Sequence, residues 1–146
     1  MDDALATFVW TRADLRCEYC RMPQRLDRAR FEVDHVIPEK YGGLTVEGNL
    51  ALACFFCNRY KGPNLSGIDP YTKVISQLFD PRRDRWSEHF YWSGARLQGI
   101  TPNARATIAV LRMMTRHGCC SARYSLPTVT QIGWTCDKLS SSFRRG

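Results

Sequence analysis

Two cysteine pairs constrain this chain more than any other feature of it. Cys17-Glu18-Tyr19-Cys20 is one C-x-x-C, Cys54-Phe55-Phe56-Cys57 is a second, and 33 residues separate them. Two such pairs supply four thiolates to one tetrahedral zinc ion, each pair biting the metal from a tight turn. A lone C-x-x-C would be explained by a redox motif or by two buried thiols. Two together are a strong signal for a structural zinc held by Cys17, Cys20, Cys54 and Cys57. The spacer exceeds the roughly 15–20 residues of a simple zinc ribbon, so something is folded inside it. The seven cysteines are an odd number, and the chain opens Met1-Asp2-Asp3 rather than with a charged-then-apolar leader. Neither fits a secreted disulfide framework, and a cytoplasmic location is expected. Cys119, Cys120 and Cys136 fit no ligand pattern and receive no role.

With 146 residues, one small domain with an appended unit is the prior. No run approaches the roughly 18 apolar residues of a membrane span, and 12% aromatic content argues against wholesale disorder. The formal net charge is +7. The first 62 residues carry as many acids as bases, so the whole excess lies in residues 63–146. A basic half of this kind points to a polyanionic partner, although plain solubility would also account for it.

Residues 4–16 read as a short helix, with Leu5, Phe8, Val9 and Leu15 on one face and Arg12, Asp14 and Arg16 outside. Phe31 to Ile37 is β-branched and part-alternating, and Pro38 ends it, so it reads as a strand. Leu50–Ala53 reads as a second strand. Phe55–Lys61 reads as a helix stopped by Gly62-Pro63. The cysteine pairs therefore bracket a β-β-α unit. Gly67-Ile68-Asp69-Pro70 and Asp80-Pro81-Arg82-Arg83 read as turns. Arg85–Trp92 looks strand-like, with Arg96–Ile100 as its hairpin partner. Thr101-Pro102 is a helix start. Ala104, Thr107, Ile108, Leu111 and Met114 then recur at helical spacing, which gives a helix over 102–115. Past His117 the pattern dissolves.

The polar residues of 34–61 each have a dull explanation when taken singly. Asp34-His35 could be a surface pair, Asn49 a turn residue, and Asn58 and Lys61 a solvated helix face. Together they resemble the HNH endonuclease family. Asp34-His35, Asn49 and Asn58 stand in the order and spacing of its D-H…N…N variant. Val36-Ile37-Pro38, Gly42-Gly43, Asn49-Leu50 and Cys57-Asn58-Arg59-Tyr60-Lys61 agree with it as well. The resemblance is specific over about residues 7–63 and looser over 66–115. It implies an α+β fold: a zinc-stabilised, treble-clef-like β-β-α metal finger with a C-terminal β-hairpin and helix extension. Residues 1–63 would form the core, 64–116 a basic aromatic-rich extension, and 117–146 a tail that resists reading.

The chemistry suits the residue types. Phosphodiester hydrolysis needs an activated water, a cation on the phosphate and a stabilised leaving oxygen. His35 can take the water's proton. Asp34 and Asn58 offer hard oxygens to Mg²⁺ or Mn²⁺. Asn49, as the resemblance implies, would orient the loop or the imidazole, and Lys61 or Arg59 could neutralise the scissile phosphate. The arginine excess beyond the finger, at Arg82, Arg83, Arg85, Arg96, Arg105, Arg112 and Arg116, is expected to grip phosphates, with Arg82, Arg83 and Arg85 foremost. Core packing is the main reading of Trp86, Phe90 and Trp92, and base stacking the minor one. DNA is the expected partner, with RNA the lesser alternative and homodimerisation left open. A catalytically inactive zinc finger that binds nucleic acid is the second reading. A zinc-stabilised protein-interaction module is the third.

Overall fold

The computed structural model describes residues 2–113. The tail from 117, with Cys119, Cys120 and Cys136, lies outside the described residues, as do Met114 and Arg116. At the centre is a strand with no polar side chain, β2 (Leu50–Ala53), whose four residues are fully buried. Strands that carry no polar alternation must be covered on both faces. Here α1 (Asp3–Arg12) and α2 (Phe55–Lys61) pack on it. Its hydrogen-bonded neighbour is β1 (Glu32–His35), antiparallel, with Asp34 opposite Ala51 and His35 opposite Leu50. The segment between the first two cysteines also bonds to β2: Glu18 N–H donates to Leu52 O at 2.8 Å, and Leu52 N–H donates to the Glu18 carboxylate at 2.8 Å. A strand edge that could recruit another chain is thus used up.

The first helix is shorter than the sequence suggests. It ends at Arg12, and Asp14 and Leu15 adopt left-handed φ values of 51° and 52°. Its buried contact is Val9, with Leu5 and Trp10 packed against the core, while Phe8 and Leu15 are exposed. Arg12 is not an outward residue. Its guanidinium donates to Glu47 O at 2.8 Å and Leu50 O at 2.7 Å, closing the carbonyls that lead into β2.

Beyond Gly62 the chain forms a hairpin read in the sequence only as a turn: β3 (Ser66–Ile68) pairs antiparallel with β4 (Ile75–Gln77). Its turn is tied by buried Asp69, which accepts from Tyr71 N–H and the Thr72 hydroxyl. The stretch expected as a strand over 85–92 splits in two. Trp86–His89 forms a single helical turn, α3, and only Phe90–Ser93 is strand, β5, paired with β6 (Arg96–Gly99) as expected. Stacking explains the split, because the turn lays Trp86 over Phe90 with ring centroids 5.2 Å apart. Phe90 is buried and Trp86 and Trp92 pack against the core, so core packing is their role.

The last described helix, α4 (Pro102–Leu111), has Thr101 as N-cap, its hydroxyl accepting from Ala104 N–H at 3.2 Å. It stops four residues earlier than periodicity suggests, where Arg112 turns left-handed. The buried face is Ala104, Ala106, Thr107 and Leu111. Gly67 lets it approach the hairpin, since a Cβ there would lie 2.5 Å from Val110 Cγ2. The result is an α+β fold of small antiparallel sheets with helices. Among the described residues no helix is long and apolar enough to cross a membrane.

Candidate active site and metal centre

The four cysteines at 17, 20, 54 and 57 converge, with all four sulfurs within 4.8 Å of one another and buried. Cys20 Sγ and Cys54 Sγ are 3.9 Å apart. Tetrahedral zinc with Zn–S bonds near 2.3 Å requires sulfurs roughly 3.8 Å apart, so this donor set fits zinc. Local turns make the geometry. Arg21 N–H bonds Cys17 O at 2.8 Å, and Arg21 takes a left-handed φ of 63° to close the first knuckle. Cys54 is the N-cap of α2, and its sulfur accepts from Cys57 N–H at 3.4 Å. Such a donor favours thiolate, the form that binds metal.

From this knuckle Tyr19 reaches inward. Its hydroxyl lies 3.4 Å from Asp34 Oδ2. Burial raises the Tyr19 phenol well above its usual range, with the Asp34 charge adding to the shift. Tyr19 therefore stays a donor.

Along β1, side chains alternate in direction, so Glu32 and Asp34 share the face turned to α2. On α2, Asn58 and Lys61 are three residues apart and share the face turned back. The two elements interlock as two pairs. Lys61 Nζ sits 2.9 Å from Asp34 Oδ2, and Asn58 Nδ2 donates to Glu32 Oε2. Burial pushes the Asp34 carboxyl above its usual range, and Lys61 pulls it back without cancelling the shift.

Lys61 departs from its expected role at the phosphate. Only 2% of it is exposed, and Nζ donates to His35 O at 2.8 Å and Gly62 O at 3.4 Å besides pairing with Asp34. All three ammonium donors are engaged inside the fold.

His35 points to the other face of β1. Its Nε2 is 2.9 Å from Thr45 Oγ1, which in turn lies 3.5 Å from Glu39 Oε1. An ionised carboxylate only accepts, so Thr45 donates to Glu39 and accepts from His35 Nε2–H. The network assigns the proton to Nε2 and leaves a lone pair on Nδ1.

Asn49 clamps the loop after β1. Its Oδ1 accepts from Ile37 N–H at 2.9 Å, and its Nδ2 donates to Ile37 O and Leu44 O, both at 2.9 Å. Of the two expected options, these bonds orient the loop. Gly43 is part of the clamp, because a Cβ there would lie 1.8 Å from Ile37 O.

The arginines divide. Arg59 is exposed on α2, and Arg83 and Arg85 are about four-fifths exposed beside Asp80 and Glu88, at 3.6 Å and 3.7 Å. Arg82 is turned inward against the expectation of a phosphate contact. It pairs with Glu18, between the first two cysteines, and is 12% exposed against 7% for Glu18. Trp86 Nε1 donates to Tyr19 O at 2.8 Å beside it, so the extension is bolted to the knuckle.

Sequence reasoning missed Glu32, Thr45, Glu39 and Tyr19. Glu32 was within reach of it, since a residue two before Asp34 on a strand shares its face. Thr45 and Glu39 carried no such signal, because only the folded loop brings them to His35.

Residues 17–64 match the family model described as HNH endonuclease. No curated protein and no solved structure matches the chain. The family match runs from the first cysteine to three residues past α2, the stretch that β1, β2, α2 and their cysteine centre occupy, and it is this stretch that is similar to the HNH endonuclease family.

Proposed function

We propose that the protein is a metal-dependent endonuclease that hydrolyses phosphodiester bonds in DNA. His35 is the general base, and Asp34 and Asn58 hold a Mg²⁺ or Mn²⁺ ion through oxygen. The observation that carries this reading is the relay behind His35. Nε2 is committed to Thr45 and Glu39, and Nδ1 is left as the basic nitrogen. An imidazole oriented by a second group and a carboxylate behind it is what a general base requires. As Nδ1 takes the proton of the attacking water, Glu39, 3.9 Å from Nε2, faces the imidazolium that forms.

A bound divalent cation would supply positive charge to the phosphate and to the leaving oxygen. The donor set fits it, because Asp34 and Asn58 are hard oxygen donors on two rigid elements. Tyr19 and Lys61 both take Asp34 Oδ2, which leaves Oδ1 to face a cation. Asn49 holds the loop behind His35 rather than touching substrate. Exposed Arg59, Arg83 and Arg85 contact phosphates, and DNA affinity falls steeply with salt.

The test is cleavage of supercoiled plasmid by zinc-loaded protein with Mg²⁺ or Mn²⁺, wild type beside His35→Ala. Wild type converts the plasmid. His35→Ala is slower by about 10²–10⁴-fold with zinc content unchanged. Equal cleavage by both removes His35 from the reaction. DNA binding without cleavage by wild type means an inactive nucleic-acid-binding finger.

A further inference from the structure

A ligand side chain with two chemically different ends has an orientation problem. The Asn58 amide carries an oxygen that could hold a cation and a nitrogen that could not, and the two ends are almost the same shape. The glutamate two residues before Asp34 resolves this. Glu32 lies on the α2-facing side of β1, and its Oε2 accepts from Asn58 Nδ2. An ionised carboxylate has no proton to give. Only the nitrogen end of Asn58 can face it, so Oδ1 must face the other way.

We propose that Glu32 is a positioning residue that locks the Asn58 amide with its oxygen presented to the catalytic cation. The inference rests on the reading of Asn58 as a cation ligand. It gives Glu32 a role through Asn58, not on the metal. The layout is economical: β1 carries Glu32 and Asp34 on one face, α2 carries Asn58 and Lys61 on the other, and each strand carboxylate meets one helix residue. Lys61 is the cation that meets Asp34, whereas Glu32 meets a neutral amide and imposes a direction on it.

Glu32→Gln keeps the shape and abolishes the direction, because a glutamine amide can accept from Asn58 Nδ2 or donate to Asn58 Oδ1. The Asn58 amide then populates both orientations. The measurement is Mn²⁺ affinity of the zinc-loaded protein, read from the electron paramagnetic resonance signal of free Mn²⁺. Zinc content and circular dichroism are checked alongside. With the oxygen-presenting orientation reduced to about half of the population, Glu32→Gln is expected to weaken Mn²⁺ binding about twofold, with zinc and fold unchanged.

A cycle with Asn58→Asp separates positioning from the alternatives. Aspartate has two oxygens, so no orientation remains to be chosen, and Glu32 beside it only repels. In the Asn58→Asp background Glu32→Gln should therefore strengthen Mn²⁺ binding, because the glutamine amide donates to one oxygen and leaves the other to the cation. A direct ligand role for Glu32, or a plain charge attraction, predicts weakening in both backgrounds and overturns the proposal. Unchanged affinity in Glu32→Gln also overturns it, provided that wild type binds Mn²⁺ and Asn58→Ala does not. Wild type that binds no Mn²⁺, or Asn58→Ala that binds it as wild type does, defeats the ligand reading itself and this proposal with it.

Discussion

The finger holds one two-stranded antiparallel sheet, β1–β2, and the extension holds two, β3–β4 and β5–β6, and the two regions brace them by different means. In the finger, β2 is sealed on every side, by helices on its faces and by Glu18 on its edge. Its helix α2 is seven residues long, too short to persist in water, and starts on Cys54, one of the four cysteines that fit a zinc ion. In the extension, α4 covers one face of β3–β4 and the other is bare, leaving Ile68 and Ile75 59% and 73% exposed. Its ten-residue helix is fixed by apolar contacts and by Arg105, whose Nε and Nη2 bond the two oxygens of buried Asp69 at 2.8 Å and 2.7 Å. The finger gathers four cysteines that fit a zinc ion, whereas the extension has no such cluster among the described residues and is fastened by a buried ion pair.

The largest effect should therefore come from the cysteines. Structural zinc contributes about 10–16 kcal/mol of apparent folding free energy in finger peptides, against the roughly 5–15 kcal/mol total stability of a typical domain. Chelation, or Cys54→Ser, is expected to unfold β1–β2–α2 and with it the Asp34–Lys61 pair. Helical and strand signal in circular dichroism should fall together with zinc content. Retention of the full spectrum after complete zinc removal would mean that packing alone holds the finger, and the contrast between the two regions would collapse.

A middle-sized effect should appear where the regions are bolted together. Arg82→Met leaves Glu18 buried, with Arg12 3.9 Å away as its remaining cation. Breaking a buried pair from one side typically costs about 3–5 kcal/mol. The loss here should sit near ~3 kcal/mol, because Arg12 and Leu52 N–H still serve the carboxylate. Denaturant unfolding measures it. A change below ~0.5 kcal/mol would mean that the bolt behaves as a surface pair.

The sequence was most legible where a local rule decides the structure. The C-x-x-C spacing placed four sulfurs on one point, Phe55–Lys61 ended at Gly62, and Thr101-Pro102 started α4. It was least legible where a distant partner decides. Lys61 and Arg82 look like solvated cations in the sequence, and only Asp34 and Glu18 across the fold turn them inward. Arg12 is the same case, drawn in by the carbonyls of Glu47 and Leu50. The hairpin β3–β4 was hidden because its turn chemistry, Gly67 to Pro70, sits inside β3 and the turn rather than after a clear strand. At Trp86, ring stacking on Phe90 outweighs a strand-like pattern. The resemblance singles out Asp34, His35, Asn49 and Asn58 as a group, but it does not give the partners that Asp34, His35 and Asn58 meet in the fold, which are Tyr19, Thr45 and Glu32.

The smallest expected effect sharpens the comparison through acid. Arg105 holds the Asp69 carboxyl well below its ordinary value of 3.8, with Tyr71 N–H and the Thr72 hydroxyl adding to the shift against the cost of burial. A folded-state pKa below the unfolded one means that the unfolded chain binds the proton more readily. The stability from this pair is therefore complete above pH 3.8 and drains away as the pH falls below it. Asp69→Asn keeps the shape and one acceptor oxygen but loses the charge. Its melting temperature should lie below that of wild type at neutral pH, and the gap should narrow as the pH drops below 3.8. The finger has no counterpart among its carboxylates with a resolved shift, since Asp34 is displaced upward instead. A folded pKa above the unfolded one is stabilising at low pH and loses that contribution as the pH rises through it. Asp34→Asn should thus show the opposite trend, its melting temperature approaching or passing wild type as the pH rises, with Lys61 still held by the carbonyls of His35 and Gly62. A gap of constant width for Asp69→Asn across the acid range would show that its pair acts through packing and not through charge.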